Sequence, residues 1–259
     1  MYQPFRQFRG YYKKTYPFYP MKIQMAIIAI LAGTLTACQK DEKTTATAGT
    51  ITITVENTVD GQPLQLETGT YSQEGRQYLI SRFDYYLSNF QFKNSNNTIF
   101  SVPNSYHLVR TQRNNNKTTL TIKDVPIGSY NEINFAVGVD KNRNTSIVQV
   151  GDLDPNNNMA WDWNTGYRFV ALEGKTKDNL GLVFHIGTDE NYQTYTIKLP
   201  KNIEITAGAT ANIRLTANAA ELFRTPNTIN FSDINDVMGG DNAKKISANY
   251  KDMFSLTVE

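Results

Sequence analysis

The chain of 259 residues contains only one cysteine, two histidines and two tryptophans. Cys38 has no partner for a disulfide within the chain and no second cysteine for a CxxC redox motif or a haem-attachment motif. His107 and His185 are too far apart for an HExxH zinc motif and too few for a three-histidine metal site, and neither lies in a GxSxG-like setting. No glycine-rich phosphate loop is present, and no spacing selects a pair of carboxylates for glycoside hydrolysis. We therefore expect a protein that is not an enzyme.

The sequence also lacks a basic surface for nucleic acid. The nominal charge of +2 depends on the first 37 residues, which carry five of the 26 basic residues and no acidic one. The rest of the chain carries the other 21 basic residues and all 24 acidic residues, which gives it a net charge of −3. A chain with this balance is not expected to bind nucleic acid.

The first 37 residues have the composition of an export signal. Lys22 precedes an apolar run from Met25 to Leu35, which is too short for a comfortable membrane span, and small residues follow it. The sequence LTAC at 35–38 resembles a lipobox, where the signal is cut and the cysteine receives lipid. We predict that residues 1–37 are a leader and lipoprotein signal peptide, with the true start at Met21. Cys38 would then anchor an outer membrane lipoprotein that is periplasmic or surface-exposed.

Residues 38–49 are predicted to form a lipidated tether. The charged residues at 39–43 resemble a short export tag of surface lipoproteins, and they fit a solvated tether equally well. Residues 44–49 are small and polar, as in a flexible linker.

From residue 50 onward the pattern is mostly that of half-buried strands. In TITITVEN, Ile51, Ile53 and Val55 alternate with threonines. Further strands are predicted at 83–92, 98–102, 106–110, 118–123, 131–139, 166–172, 180–186, 192–199, 211–217 and 253–258. Helical signal is confined to short segments near 219–224 and 242–250. The fold class predicted for 50–259 is therefore all-β, an antiparallel β-sandwich with short peripheral helices.

Both tryptophans fall in the stretch GDLDPNNNMAWDWNTGYRF at 151–169. On a strand, Trp161 and Trp163 would project from one face because they are two residues apart. Three interpretations remain open: core packing, an aromatic platform for a glycan with Tyr167 as a third surface, or a redox or metal site. His185 lies in the apolar run LVFHI, where an imidazole must be hydrogen-bonded or metal-bound to offset its loss of solvation.

Three aspartates mark turns that could hold calcium or serve only the backbone. The segments starting at Asp140 and Asp154 begin like EF-hand loops, but they lack the glycine at the sixth position and the glutamate at the twelfth. A calcium site of another design, including Asp152, remains open. The alternative is that these residues form Asx turns that stabilise their own backbone.

A set of segments together resembles the MbnP-like family over roughly residues 50–258. They are YYLSN (85–89), YHLV (106–109), PIGSYNEINFAVGVD (126–140), GDLDPNNNMAWDWNTGYRFVALEG (151–174), FHIG (184–187) and NYKDMF (249–254). The resemblance implies a β-sandwich that is often a lipoprotein and has a dihaem peroxidase of the MauG group as partner. It also implies that the peroxidase oxidises a tryptophan to kynurenine, whose aromatic amine helps a histidine to hold Cu(I).

Carried onto this chain, the resemblance makes Trp161 or Trp163 the modified residue and His185 the histidine ligand. Cu(I) prefers sulfur or imidazole ligands, so Met159 is a further candidate. The chain departs from the family pattern at Trp163, where some relatives have histidine, and at Arg110, where aspartate is more usual. The expected cofactor is copper, with glycan binding or a purely structural role as the alternatives.

Overall fold

The computed structural model describes residues 47–146, 148–162 and 164–259. The predicted signal peptide, Cys38 and Trp163 lie outside the described residues. Fourteen strands and one α-helix occur in this part of the chain. They are β1 (Ala48–Val59), β2 (Gln62–Pro63), β3 (Tyr71–Gln73), β4 (Arg76–Asn94), β5 (Ile99–Ser101), β6 (Tyr106–Arg110), β7 (Lys117–Pro126), β8 (Gly128–Val137), β9 (Arg168–Thr176), β10 (Gly181–Gly187), β11 (Gln193–Ile205), β12 (Thr210–Asn218), β13 (Asp236–Val237), α1 (Gly240–Ala248) and β14 (Phe254–Val258).

The strands form two sheets. The first has the order β14-β12-β1-β2, with β7 also paired to β1. The second has the order β11-β8-β4-β9-β10-β13, and β3, β5 and β6 also pair with the long β4. The main apolar cluster contains inward residues of both sheets, among them Ile53 from β1 and Phe83 from β4. The predicted all-β sandwich is therefore confirmed.

The expectation of antiparallel pairing throughout is wrong for two strand pairs. Strand β1 pairs with β12 in parallel, with Ile53 opposite Ile213, and β10 pairs with β13 in parallel. Parallel neighbours need a long crossover, which the chain between β1 and β12 provides. A half-buried strand alternates in the same way beside either kind of neighbour, so the sequence pattern does not distinguish the two directions.

The short helices occur near their predicted positions. A 3-10 helix spans Ala219–Phe223, and α1 is followed by another 3-10 helix at Asn249–Asp252. Ala243 and Ile246 of α1 are buried in the main cluster. Within the described part of the chain, no helix has both the length and the apolar character needed to cross a membrane.

A second apolar cluster covers the outer face of the second sheet. Its buried members are Tyr86, Val139, Leu153, Met159, Ala160, Tyr167, Phe169 and Ala171. They come from outward positions of β4 and β9 and from the segment that joins β8 to β9. Residues 83–88 of β4 are consequently buried on both faces, instead of alternating between core and solvent.

The described backbone around Trp161 is not a strand. Two 3-10 helices, Gly151–Leu153 and Pro155–Asn157, begin it, and Ala160 and Tyr167 then form an isolated bridge. The strand predicted at 166–172 begins at Arg168. Trp161 lies in irregular backbone, so the strand on which the two indoles were expected to share a face does not form at Trp161, and Trp163 lies outside the described residues.

Candidate functional site

The outer face of the second sheet carries polar side chains close to Met159 and Trp161. Register places Asp84 of β4, Ala171 of β9 and His185 of β10 side by side. The next row holds Arg82, Glu173 and Val183. Residues directly opposite across a sheet project from the same face, so the pairing of β9 with β10 and with the distant β4 brings these polar groups together.

His185 is held by a charged network. Its Nε2 lies 2.9 Å from Oε1 of Glu173, and Nη1 of Arg82 donates to the same oxygen at 3.0 Å. Nε of Arg82 donates to Oδ2 of Asp84 at 2.9 Å, and Nε of Arg110 donates to that oxygen at 3.3 Å. Each carboxylate therefore has at least two partners, as half-buried charges require.

Trp161 packs directly beside this network. Trp161 is only 5 % exposed, and its ring centroid lies 6.4 Å from that of His185, with an interplanar angle of 61°. A methyl group built on Gly187 would lie 2.8 Å from both Nε1 and Cζ2 of Trp161. The nitrogen edge of the indole therefore rests on β10, the strand that carries His185.

The guanidinium of Arg168 also lies against the indole. Its Cζ is 5.6 Å from the ring centroid, and its Nη2 donates to the carbonyl of Ala160 at 2.7 Å. Asp162 is a loose counter-ion at 3.9 Å. The indole thus contacts the backbone of β10 at Gly187, the imidazole of His185 and the guanidinium of Arg168.

Met159 also borders the network. It is fully buried, and its sulfur lies 3.4 Å from Nη2 of Arg82, which also donates to the carbonyl of Asn158 at 2.8 Å. Of the predicted donors, the structure brings Trp161 and His185 into ring contact. Met159 joins them through Arg82 and Glu173.

Burial and hydrogen bonding set the protonation states of this cluster. Burial lowers the pKa of His185, and the hydrogen bond with Glu173 only partly offsets this. Burial acts to raise the pKa of Glu173, but the hydrogen bonds from His185 and Arg82 outweigh it and the net shift is downward. At neutral pH the imidazole is therefore uncharged and the carboxylate ionised. A tautomer that donates from Nε2 to Glu173 has its lone pair on Nδ1.

Replacing Glu173 with glutamine should lower the pKa of His185 further, because the carboxylate is what raises it. Nuclear magnetic resonance titration of the imidazole protons measures this directly, since the chain has two histidines. His107 is the internal reference: burial lowers its pKa too, and its ring contacts Ser105 and Phe90 instead of Glu173. A rise or no change in the His185 pKa would contradict the described hydrogen bond.

The three aspartates of the calcium hypothesis each serve a separate local contact. Asp140 accepts from Tyr106 and from Asn89, Asp152 accepts from the backbone N–H of Leu108 at 2.8 Å, and Asp154 accepts from that of Asn156 at 2.8 Å. The last is the Asx turn that the sequence also suggested. Among the described residues, no group of three or more His, Cys, Asp or Glu side chains could hold a metal ion. We therefore base no proposal on calcium.

Several residues of the site were not predicted from the sequence. Arg82, Arg168, Glu173 and Gly187 lie on three strands, and their meeting depends on register. One usable sign was the pair Arg82 and Asp84, two charges at alternate positions beside the apolar side chains of β4.

Comparisons with known proteins agree with this architecture. The family model described as MbnP matches residues 48–239. A solved structure, MbnP from Methylosinus trichosporium, superposes with a TM-score of 0.51 at 12 % sequence identity, covering 81 % of this chain and 98 % of that chain. At that identity the likeness shows the fold alone. A search of curated proteins gave no match.

Proposed function

The chain belongs to the MbnP family, and on that premise we propose that it is a copper-binding protein of the cell envelope, with Trp161 and His185 in one site. The observation that carries the proposal is the burial of Trp161 against His185, at 6.4 Å between ring centroids. The nitrogen edge of that indole rests on Gly187, two residues from His185 on the same strand.

The side chains present fit a soft cation better than a hard one. His185 is a neutral imidazole whose Nε2 faces a carboxylate, the arrangement in which a metal-binding histidine usually donates its other N–H to an acidic partner. Met159 would add a thioether, and Cu(I) accepts such low coordination. An unmodified indole has no good lone pair, so its oxidation would complete the donor set.

Trp161 is the residue that we propose is converted to kynurenine. Conversion oxidatively cleaves the C2–C3 bond of the indole, and hydrolysis then releases C2 as formate, which leaves an aryl amine in place of the ring nitrogen. Here that nitrogen lies next to the strand of His185, so the new amine and Nδ1 of the imidazole would serve one ion. The chain has no haem-attachment motif. The oxidant would therefore come from a partner, for which the family resemblance suggests a dihaem peroxidase of the MauG group.

Tandem mass spectrometry of the protein from its native, copper-starved cells tests this assignment. We expect the peptide spanning 161–163 to carry the mass of kynurenine at Trp161, with Trp163 unmodified as the internal comparison. Unmodified Trp161, or conversion at Trp163 alone, would contradict the assignment. The protein made in a host without the peroxidase is the matched control and should contain intact tryptophan.

The surroundings of Trp161 argue against the two alternative functions. Stacking on a sugar needs an open aromatic face, and this indole is enclosed by Gly187, His185 and Arg168. A purely structural role would be favoured if His185 lay far from the indole, which it does not. We therefore favour a binding protein, not an enzyme, whose ligand is copper.

We further propose that Cys38 anchors the protein in the outer membrane, periplasmic or surface-exposed, through lipid. The support is the lipobox-like LTAC at 35–38, after a short apolar run. The Cys38→Ala protein should leave the membrane fraction on cell disruption. Retention equal to that of the wild type would contradict lipidation at this residue.

A further inference from the structure

Arg168 is a buried cation of the site whose polar groups are incompletely paired. Its side chain is 12 % exposed, and its Nε is buried without a hydrogen-bond partner among the described residues. A buried polar group left unpaired in this way is costly and calls for an explanation. Its counter-ion Asp162 is 94 % exposed at the side chain and lies 3.9 Å away, so it neutralises the guanidinium weakly.

The position of the guanidinium is nevertheless fixed. Nη2 donates to the carbonyl of Ala160, the residue that precedes Trp161. The backbone of Arg168 donates to the carbonyl of Met159 at 2.6 Å. Arg168 lies opposite Gly187 in the register of β9 and β10, so the residue that faces the indole and the residue that seats it are strand partners.

We propose that Arg168 makes the Trp161 indole harder to oxidise, so that one-electron oxidants react with the indole more slowly. This inference rests on the proposed conversion of Trp161. A cation near an aromatic ring is attracted to its electron-rich face. Removal of an electron turns that attraction into repulsion, so the contact disfavours the indole radical cation.

The contact with Arg168 acts on the first step of indole oxidation. The indole gives one electron to the oxidant and becomes a radical cation, which then releases the Nε1 proton to water. With chlorine dioxide as a small oxidant, the electron converts chlorine dioxide to chlorite. Chlorine dioxide is uncharged, so removing Arg168 does not change its attraction to the protein.

The experiment uses the full chain with Trp163→Phe, made in a host without the peroxidase, so that Trp161 is the sole tryptophan. The loss of Trp161 with chlorine dioxide is followed by mass spectrometry. Collisional quenching of its fluorescence by acrylamide, which is neutral, measures access to the ring. The oxidation rate divided by the quenching rate then reports how easily the indole is oxidised in each variant. This holds even where a substitution loosens the packing of the indole on Gly187.

We expect this ratio to rise about 2- to 30-fold in Arg168→Gln, the range that corresponds to the usual strength of a cation–π contact. Arg168→Met should behave in the same way, and Arg168→Lys should stay within about twofold of the parent because it keeps the charge. Arg76→Gln, on β4 and ion-paired with Asp178, is the control that should show no change.

An unchanged ratio in both neutral variants would overturn the proposal, as would a lysine variant that is oxidised as easily as the glutamine variant. Neither result would bear on copper binding or on kynurenine, because the experiment uses no copper and no peroxidase. Failure here is therefore distinguishable from failure of the proposed function.

Discussion

Replacing His185 with alanine should lower the affinity of the native, converted protein for Cu(I) by at least about 100-fold, beyond the usual cost of losing an outer partner of a metal ligand. The imidazole is the one nitrogen donor of the proposed site that needs no modification. It is buried, its pKa is lowered by that burial, and Glu173 orients it. A competition titration with a chromogenic Cu(I) chelator measures the effect.

His107→Ala is the matched control for this loss, since the chain has two histidines. His107 lies on β6 with its ring against Phe90, and its Nε2 is 3.3 Å from Ser105. Its removal should leave the affinity for Cu(I) within about twofold of the wild type, because it does not belong to the proposed donor set. Equal losses in the two variants would assign the effect to general destabilisation instead of to a ligand.

Gly187→Ala should destabilise the fold by about 1–3 kcal/mol, the usual cost of forcing an extra carbon into a packed region. The new methyl carbon would lie 2.5 Å from the carbonyl oxygen of Tyr167 and 2.8 Å from the Trp161 indole. Gly187 ends β10 and is paired with Arg168 of β9, so the carbonyl of Tyr167 is held beside it and the indole is the group that would be displaced. Denaturant unfolding gives the loss of stability, and a red shift of tryptophan emission reports the displacement.

Gly181→Ala provides the control within the same strand. A methyl group at Gly181 meets no atom within 4 Å, so its effect on unfolding should be near zero. In a Trp161→Ala background the cost of Gly187→Ala should shrink without vanishing, because the contact with Tyr167 remains. An undiminished cost in that background would mean that the indole does not rest on Gly187.

The strands of the sandwich follow from local patterns, and their partners do not. TITITV alternates as expected, and β1 buries Ile51, Ile53 and Val55. Its parallel pairing with β12 depends on contacts between residues about 160 positions apart along the chain, as with Ile53 and Ile213. Period-two alternation carries no information on the direction of such a neighbour.

Turn-forming residues before Trp161 prevent the strand that the spacing of the tryptophans suggested. Two residues of separation predict a shared face only on a strand. Here Asp154 accepts from the N–H of Asn156, Pro155 begins a 3-10 helix, and Asn158 has a positive φ of 58°. These residues favour turns, so the segment folds over the sheet instead of joining it.

The site itself was partly predictable. The apolar run LVFHI indicated that His185 needs a partner, and the structure supplies Glu173 at 2.9 Å. The pairing of His185 with Trp161 came from family resemblance, because no local pattern links two residues 24 positions apart. Arg168 and Gly187 were missed since their roles arise only from the register of β9 and β10.

The most direct test of the central claim is a Cu(I) titration of the protein from its native cells beside the same protein made without the peroxidase. The proposed site predicts tight binding of one Cu(I) by the converted protein. It also predicts affinity at least about tenfold weaker in the unconverted one, which lacks the aryl amine and keeps only imidazole and thioether. Equal affinity in the two forms, or no binding by a protein shown to contain kynurenine at Trp161, would contradict a copper site built from Trp161 and His185.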